Sequence, residues 1–346
     1  MLLGGKFVLE QWRGAASLRT LFRSAHLSNG SQTARILQQM RTRRYIAAIG
    51  AVIALLAPAA LGQGSRTLLE SKESLYNNIY VYQETPYISM TFGHNRAIYT
   101  ESVYNTNDDR DLPVAYTQYM TESLAYPKQI KAVVEIGFGG GRTAWYLHRF
   151  MPGVQITSVE LDPAVVQLAR KYFGIKDEPN FQVVNRDGRL FLADTKERYD
   201  IILIDAYRGP FVPFHLLTKE FYQLVKDRLA EGGVMAQNVE PTTMLFDAAV
   251  KTMREVFSNT DFYAASGNVV GIAYDGPQKT AEELGKIAAE RQAALNLRYD
   301  LNQMLKARQE FAADMIDGKA KVLTDDFAPV ESLKAIEQHN RKWLSQ

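Results

Sequence analysis

The chain contains no cysteine among its 346 residues. Disulfide bonds, thiolate nucleophiles and cysteine-ligated zinc or iron-sulfur centres are therefore excluded. Histidine is scarce as well, and the five histidines are dispersed without the spacing of a metal site, so we expect no metal. Internal repeats and low-complexity segments are also lacking. Hydrophobic residues make up 46% of the chain, which is enough for a substantial core.

Acidic residues are almost absent from the amino-terminal part of the chain. Residues 1–44 carry eight Lys and Arg against the single acid Glu10, a net charge of +7. Since the whole chain carries +2, the remainder is mildly acidic, at −5. This balance argues against a nucleic-acid partner and is compatible with a cationic small-molecule substrate.

An uncharged run at residues 45–65 follows the basic cluster at residues 41–44. A basic flank and an apolar middle are typical of a signal peptide, with a cleavage site at residues 60–62. An uncleaved membrane anchor or a transit peptide remains an alternative. We expect an exported (periplasmic) or membrane-anchored protein, or a cytoplasmic one if residues 1–64 do not act as a signal. Met40 directly precedes the basic cluster, so we take it as a hypothetical true start.

The segment after this run is rich in residues that favour strands. Residues 76–100 contain many Tyr, Ile, Val and Thr, with breaks near residues 84–86 and 92–95. This pattern predicts a small antiparallel β unit of about three strands. We place a small β domain at residues 70–112.

Apolar strand-like runs and helical segments alternate over the next part of the chain, which predicts a doubly wound α/β sheet over residues 113–278. The predicted strands cover residues 132–136, 155–159, 181–184, 201–204, 234–237 and 269–274. The predicted helices cover residues 114–125, 142–151, 164–173, 218–229 and 244–257. A charged helical segment is predicted to complete the chain over residues 279–346.

Glycines and acids follow these strands directly. The first strand ends in Gly137, Gly139 and Gly141, where backbone can approach a ligand closely. Glu160 follows the second strand, at the distance where an acid meets ribose hydroxyls. The third and fourth strands lead to residues 187–188 and to Asp205, and the carboxyl ends of parallel strands form a common ligand crevice. Together these residues predict a site for a sulfonium nucleoside such as S-adenosylmethionine.

A nicotinamide dinucleotide is the alternative ligand for this loop. Gly139, Gly141 and Ala144 satisfy a relaxed dinucleotide fingerprint, but Arg142 breaks the register that starts at Gly137. Asp187 has no standard role in dinucleotide binding. An acid followed by three alternating glycines fits the methyltransferase-type loop better.

These motifs together resemble the spermidine synthase family of polyamine aminopropyltransferases over about residues 70–332. The matching segments are residues 73–78, 137–141, 160–162, 187–188, 205, 221–222 and 324–331. The resemblance implies a Rossmann-like sheet of the class I S-adenosylmethionine-dependent methyltransferase type, preceded by a small antiparallel β domain. It also implies a homo-oligomer and a small-molecule amine substrate.

The resemblance assigns roles to individual positions. Glu160 would hold the ribose, and Asp187 and Gly188 would face the adenine of decarboxylated S-adenosylmethionine. Asn77 takes the place of a nucleoside-contacting Gln, and Tyr116 corresponds to a tyrosine near the acceptor. The cofactor-binding set also includes Gly137 and Gly139 of the loop.

Asp205 matches the general base of the family. An alkyl amine with a pKa near 10 is protonated at neutral pH and has no lone pair for attack. Deprotonating it costs about 4 kcal/mol, taking roughly three pH units at 1.36 kcal/mol each. A carboxylate at hydrogen-bonding distance can take this proton as the new bond forms, leaving methylthioadenosine as the departing group.

The chain departs from the family at the acceptor end. Gly140 replaces a second acid in the glycine loop, Arg208 replaces an Asp three residues after the base, and Thr117 replaces a His. These acids normally anchor the two ammonium ends of a diamine, and a buried ammonium without a carboxylate is costly. We therefore expect an acceptor other than putrescine. Asp108, Asp109 and Asp111 could supply substitute acids, but three acids in a polar turn more often form a solvated face.

Two other functions remain open from the sequence. The same scaffold can carry an S-adenosylmethionine-dependent methyltransferase, in which Arg142 or Arg208 would bind the carboxylate of the intact nucleoside. The third possibility is a catalytically dead nucleoside-binding paralogue that keeps the fold without an acceptor site.

Overall fold

The computed structural model describes residues 66–94, 97–209, 211–243, 245–309, 316 and 318–326. The predicted signal peptide or membrane anchor at residues 45–65 and the hypothetical start at Met40 lie outside the described residues. Within the described part of the chain, no helix has the length and apolar character needed to span a bilayer.

A four-stranded antiparallel sheet begins the described chain, with its strands in sequence order. Its strands are β1 (Thr67–Glu73), β2 (Asn78–Glu84), β3 (Tyr87–His94) and β4 (Ala97–Asn105). The prediction of about three strands was therefore wrong by one. The strand it missed, β1, is mostly exposed and has Thr67 as its only β-branched residue and no aromatic one, so it lacks the composition that marks β2 and β3.

The second sheet has eight strands in the order β12-β10-β11-β9-β8-β5-β6-β7. The five strands of this sheet that come first along the chain are mutually parallel. They are β5 (Ala132–Ile136), β6 (Gln155–Glu160), β7 (Phe181–Asn185), β8 (Tyr199–Ile204) and β9 (Leu229–Val239). The antiparallel strands are β10 (Asn259–Ala265), β11 (Asn268–Tyr274) and β12 (Arg308–Gln309). This arrangement confirms the predicted Rossmann-like fold of the methyltransferase type.

Helices connect the strands and cover both faces of this sheet. They are α1 (Ala115–Met120), α2 (Arg142–Phe150), α3 (Pro163–Tyr172), α4 (Gly188–Asp194), α5 (Lys219–Arg228), α6 (Phe246–Val256), α7 (Ala281–Leu295) and α8 (Leu301–Met304). The single helix expected from 114 to 125 is instead α1 followed by a 3₁₀ turn, Thr121–Ala125. The charged helical segment is interrupted where Asn296 adopts φ +48°, which ends α7.

In the large sheet and its helices, β10, β12 and α4 were not predicted. β10 starts with the polar residues Asn259, Thr260 and Asp261, which hide its period-two pattern. Asp261 is buried because the Arg308 guanidinium donates to it at 2.6 Å and the Tyr126 hydroxyl at 2.8 Å. Tertiary partners, rather than local propensity, therefore stabilise this strand.

One hydrophobic core joins the small sheet to a face of the large sheet. Val81 and Met90 of the small sheet belong to the same cluster of buried side chains as Val133 of β5 and Trp145 of α2. This packing places β4 beside the loop between β5 and α2, where the Gly140 N–H donates to the Ser102 Oγ at 2.8 Å. The small sheet consequently forms one wall over the carboxyl ends of the parallel strands.

Candidate active site at the carboxyl ends of the parallel strands

A cavity of about 420 Å³ lies at the carboxyl ends of β5, β6 and β8, with β4 and the turn after β1 on its other side. Every residue predicted for the site lines this cavity: Asn77, Tyr116, Gly137, Gly139, Glu160, Asp187, Gly188 and Asp205. The structure thus brings together residues that are up to 128 positions apart in the chain. Their individual roles stay predictions.

The glycines of the loop between β5 and α2 are required by the backbone. Gly137, Gly139 and Gly141 have φ values of +92°, +52° and +71°, which side chains disfavour. A Cβ at position 137 would also lie 2.4 Å from the Asp205 carbonyl oxygen. Gly188 is different, because a Cβ there would meet Ile136 Cγ2 at 2.2 Å. Its lack of a side chain lets α4 pack closely against β5.

Glu160 is the last residue of β6, and its carboxylate binds the backbone of the glycine loop. Oε2 accepts hydrogen bonds from the Phe138 N–H at 3.0 Å and the Gly139 N–H at 3.2 Å, and Oε1 accepts one from the Asp162 N–H at 2.9 Å. Burial raises the pKa of Glu160, while these backbone donors lower it. Oε1 accepts only one of these bonds and has a lone pair left, so a ribose hydroxyl can donate to it from the cavity.

Asp162 joins the turn after β1 to the large sheet. Its Oδ1 caps α3 by accepting from the Ala164 N–H at 2.9 Å, and Oδ2 accepts from Ser74 Oγ and from Asn77 Nδ2 at 3.3 Å. Asn77 therefore lies over the cavity with a fixed side chain. The sequence signal for this role is the Asp-Pro pair, which is typical of a helix start.

Asp187 caps the start of α4, as Asp162 caps the start of α3. Its Oδ1 accepts from the Leu190 N–H at 2.9 Å, and its Oδ2 lies 3.4 Å from His215 Nε2. His215 also lines the cavity. The cap fixes the Asp187 carboxylate at the rim, and the hydrogen bond leaves lone pairs for a donor on a ligand.

Asp205 follows β8 and has two hydrogen-bonding neighbours. The Asn238 amide donates to its Oδ1 at 3.0 Å, and the Tyr116 hydroxyl forms a further hydrogen bond with the carboxylate. Burial raises the pKa of Asp205 to about 6, although both hydrogen bonds lower it. Asp205 is therefore ionised at neutral pH and able to take a proton.

Two acids of the cavity wall, the half-buried Glu101 and the buried Glu135, were not predicted as site residues. Burial raises the pKa of both Glu101, on β4, and Glu135, on β5, to about 8. The Ser158 Oγ donates to Glu135 Oε2 at 2.7 Å. Glu135 was visible in the sequence as the acid before the glycines, whereas Glu101 belongs to the small sheet and has no local motif.

The acids at residues 108–111 bind cations of the protein, and none of them lines the cavity. Asp108 and Asp111 pair with Arg298. Asp109 pairs with Arg142, whose guanidinium also donates to the Phe173 carbonyl at 2.9 Å. Of the two roles considered from the sequence, these ion pairs do not favour that of substitute acids for the acceptor.

The described part of the 324–331 motif has a structural role. The Asp325 Oδ1 accepts from Thr218 Oγ1 at 2.8 Å and from Arg189 Nη1 at 2.8 Å. The Asp325 N–H donates to Glu220 Oε2 at 2.9 Å. These bonds attach the carboxyl-terminal segment to the start of α5, and the motif residues beyond 326 lie outside the described part of the chain.

The fold places the chain in the Rossmann-like methyltransferase-type class. Comparison with known proteins then identifies the family. The model of the spermine/spermidine synthase domain matches residues 114–267. A polyamine aminopropyltransferase of Serratia proteamaculans is 30% identical over 202 residues, covering 53% of this chain and 70% of that protein. One of Vibrio vulnificus is 29% identical over 289 residues, covering 81% and 95%. The chain belongs to the spermine/spermidine synthase family.

Solved structures agree on the fold. Spermidine synthase of Thermotoga maritima superposes with a TM-score of 0.58 at 22% identity, covering 72% of this chain and 86% of that one. A probable spermidine synthase of Corynebacterium glutamicum gives a TM-score of 0.58 at 18% identity, covering 75% and 97%. The small sheet before a Rossmann-like sheet is thus a shared architecture.

Proposed function

We propose that the chain is an aminopropyltransferase that transfers the aminopropyl group of decarboxylated S-adenosylmethionine to an amine acceptor, with Asp205 as the general base. The observation that carries this proposal is the position of Asp205. Its carboxylate, with a pKa near 6, lies in the same cavity as Gly139, Glu160 and Asp187. A base and a nucleoside site in one cavity are what the transfer needs.

In this proposal the nucleoside lies along the carboxyl ends of β5 to β7. Glu160 holds the ribose hydroxyls, while Asp187 and Gly188 face the adenine. Gly137 and Gly139 let the loop backbone approach the ligand, and Asn77 covers it from the turn after β1. Tyr116 lies on the acceptor side, beside Asp205.

The transfer step follows from these positions. The acceptor ammonium gives one proton to the Asp205 carboxylate and becomes a neutral amine. Its lone pair then attacks the methylene carbon next to the sulfonium and forms a carbon-nitrogen bond. The carbon-sulfur bond breaks, and its electron pair neutralises the sulfur to give methylthioadenosine. The product carries the positive charge on its new secondary ammonium.

The charge of the cavity supports two cationic ligands. Six acidic side chains line it, namely those of Glu101, Glu135, Glu160, Asp162, Asp187 and Asp205. Glu101 and Glu135, whose pKa burial raises to about 8, are largely protonated at pH 7, so the negative charge comes from the other four. Of the two arginines in the lining, Arg142 is buried and bound to Asp109 and to the Phe173 carbonyl, and Arg208 is exposed. A sulfonium and an ammonium both gain from this excess of negative charge.

The methyltransferase alternative is less well supported. Intact S-adenosylmethionine brings a carboxylate into an acidic cavity. Arg142, one of the two residues predicted to bind that carboxylate, already binds Asp109 and the Phe173 carbonyl. The alternative of a catalytically dead paralogue is also less well supported. Such a protein needs no base, whereas Asp205 is held in the cavity by two hydrogen-bonding neighbours.

The proposal is tested by incubating the purified protein with decarboxylated S-adenosylmethionine and a panel of primary amines and diamines. We expect mass spectrometry to detect methylthioadenosine together with an aminopropylated amine. Asp205→Asn should lower the rate by about 10²–10⁴-fold, the range for loss of a general base. Transfer of a methyl group from intact S-adenosylmethionine, or equal rates of the wild type and Asp205→Asn, would contradict the proposal. Light scattering on the same sample tests the expected homo-oligomer.

A further inference from the structure

Glu101 is a half-buried acid of the cavity wall, and the described residues include no cationic partner for it. Its Oε1 is buried, and the described part of the chain provides no hydrogen-bond partner for that atom. The charged groups that act on it most are Asp205 and Glu160, both negative. An isolated carboxylate among other carboxylates is costly, and such costs are retained mainly at functional sites.

The described residues supply no positive charge that could compensate Glu101 inside the cavity. The lining contains Arg142, Arg208 and His215 as its basic side chains. Arg142 is bound to Asp109, His215 lies beside Asp187, and Arg208 is exposed. Among the described residues, Glu101 is therefore neutralised by its own proton at pH 7, and a ligand cation in the cavity can take the place of that proton.

Glu101 belongs to the acceptor side of the cavity. Its carboxylate acts electrostatically on Tyr116 and Tyr207, and Asp205 acts on the same two tyrosines. Tyr116 is also hydrogen-bonded to Asp205. Glu101, Asp205 and the two tyrosines therefore form one cluster, and it contains the proposed base.

We propose that Glu101 and Asp205 together hold the ammonium of the acceptor amine, so that Glu101 replaces the acids absent at positions 140 and 208. This inference rests on the proposed function. Glu101 keeps the ammonium in place and charged until Asp205 takes its proton. The acceptor is then a primary alkylamine recognised through one ammonium end, because the far end meets Arg208 rather than an acid.

Binding of an alkylammonium tests this directly, without turnover. Butylamine and putrescine are titrated calorimetrically into the wild type and Glu101→Gln, each saturated with methylthioadenosine. We expect the dissociation constant of butylamine to rise at least tenfold in Glu101→Gln, and Glu101→Asp to recover part of the affinity. Putrescine should bind the wild type no better than butylamine. Glu73→Gln is the matched control, since Glu73 is exposed on the same small sheet and should leave binding unchanged.

Proton release separates ligand contact from a structural role. Glu101 is largely protonated at pH 7, so a bound ammonium should displace a proton, which titrations in buffers of different ionisation enthalpy measure. The release should shrink in Glu101→Gln. The other titratable groups that act on Glu101 or are acted on by it are Asp205, Glu160, Tyr99, Tyr116 and Tyr207.

The outcomes distinguish this inference from the proposed function. If the wild type binds neither amine, or if Glu101→Gln binds both as well as the wild type does, Glu101 does not hold the acceptor. If amine binding depends on Glu101 but no amine is aminopropylated, the ammonium site stands and the aminopropyl transfer fails.

Discussion

Gly137 and Asp205 are in direct backbone contact, because a Cβ at position 137 would lie 2.4 Å from the Asp205 carbonyl oxygen. The Asp205 N–H also donates to the Ile136 carbonyl at 2.8 Å. The start of the glycine loop and the proposed base are therefore held at a single junction between β5 and β8. A substitution at either of these two residues should therefore alter the backbone position of the other.

The first prediction concerns this junction. Gly137→Ala combines a φ of +92° with an overlap against backbone that cannot move aside. We expect a loss of about 2 kcal/mol or more in the free energy of unfolding, measured by urea denaturation. Gly153→Ala is the matched control, because a Cβ there meets no atom within 4 Å. Equal stability of the two variants would show that the junction is not tight.

The second prediction is the pH dependence of kcat/KM for the acceptor, which reports the ionisations of the free enzyme. Asp205 must be ionised to act as a base, so the rate should rise with pH through about 6. The Tyr116 hydroxyl lowers the pKa of Asp205. Tyr116→Phe should therefore move this limb to higher pH, by about half a pH unit or more.

Tyr207→Phe is the control for that measurement. Its hydroxyl lies in the same cavity but donates to the Asn238 carbonyl at 3.0 Å rather than to Asp205. The limb near pH 6 should stay in place in this variant. A limb that moves equally in both variants would mean that loss of any cavity hydroxyl shifts it, and the specific hydrogen bond to Asp205 would then have no role.

The third prediction concerns the nucleoside. Glu160→Gln replaces one carboxylate oxygen by an NH₂ group, which faces backbone N–H donors at the loop and cannot accept from them. We expect the affinity for methylthioadenosine, measured by calorimetry, to fall about 10–100-fold, the range for losing hydrogen bonds to a charged group. Glu197→Gln, an exposed change of the same charge, should bind like the wild type. Unchanged affinity in Glu160→Gln would remove Glu160 from the ribose site.

The sequence predicts the parallel half of the fold well because its signals are local. β5 was predicted at its observed bounds, Ala132–Ile136, since a buried parallel strand is an apolar run that ends in a glycine loop. Gly137, Glu160 and Asp205 were found for the same reason, because each lies at the carboxyl end of a parallel strand. β10 was missed because Asp261, within it, depends on Arg308 and Tyr126, which are distant in the chain.

The acceptor side could not be predicted in the same way. Glu101 reaches the cavity only because the small sheet packs over the large one, and no local motif marks that contact. The sequence offers the acids at residues 108–111 as substitute acids for the acceptor site. In the structure Asp109 pairs with Arg142 and does not line the cavity, whereas Glu101 does. Charge in a sequence shows which residues can bind a cation, whereas packing decides which cation they bind.

The fourth prediction concerns Glu122, a buried acid of the 3₁₀ turn after α1 that lies outside the cavity lining. Neither of its carboxylate oxygens has a hydrogen-bond partner among the described residues. Burial, with a contribution from Asp300, raises its pKa to about 9 from an ordinary 4.5. Between these two pH values the folded chain binds more protons than the unfolded chain, so the free energy of unfolding falls as pH rises, by at most about 1.4 kcal/mol per pH unit.

Glu122→Gln removes this ionisation. We expect the variant to gain stability over the wild type progressively from pH 5 to pH 9, as measured by urea denaturation at each pH. Glu231→Gln, at an exposed turn of β9, makes the same charge change and should show no such trend. A stability difference between Glu122→Gln and the wild type that is constant across this pH range would mean that Glu122 is ionised in the fold and that a cation compensates it, because only an unpaired buried acid couples folding to proton uptake in this direction.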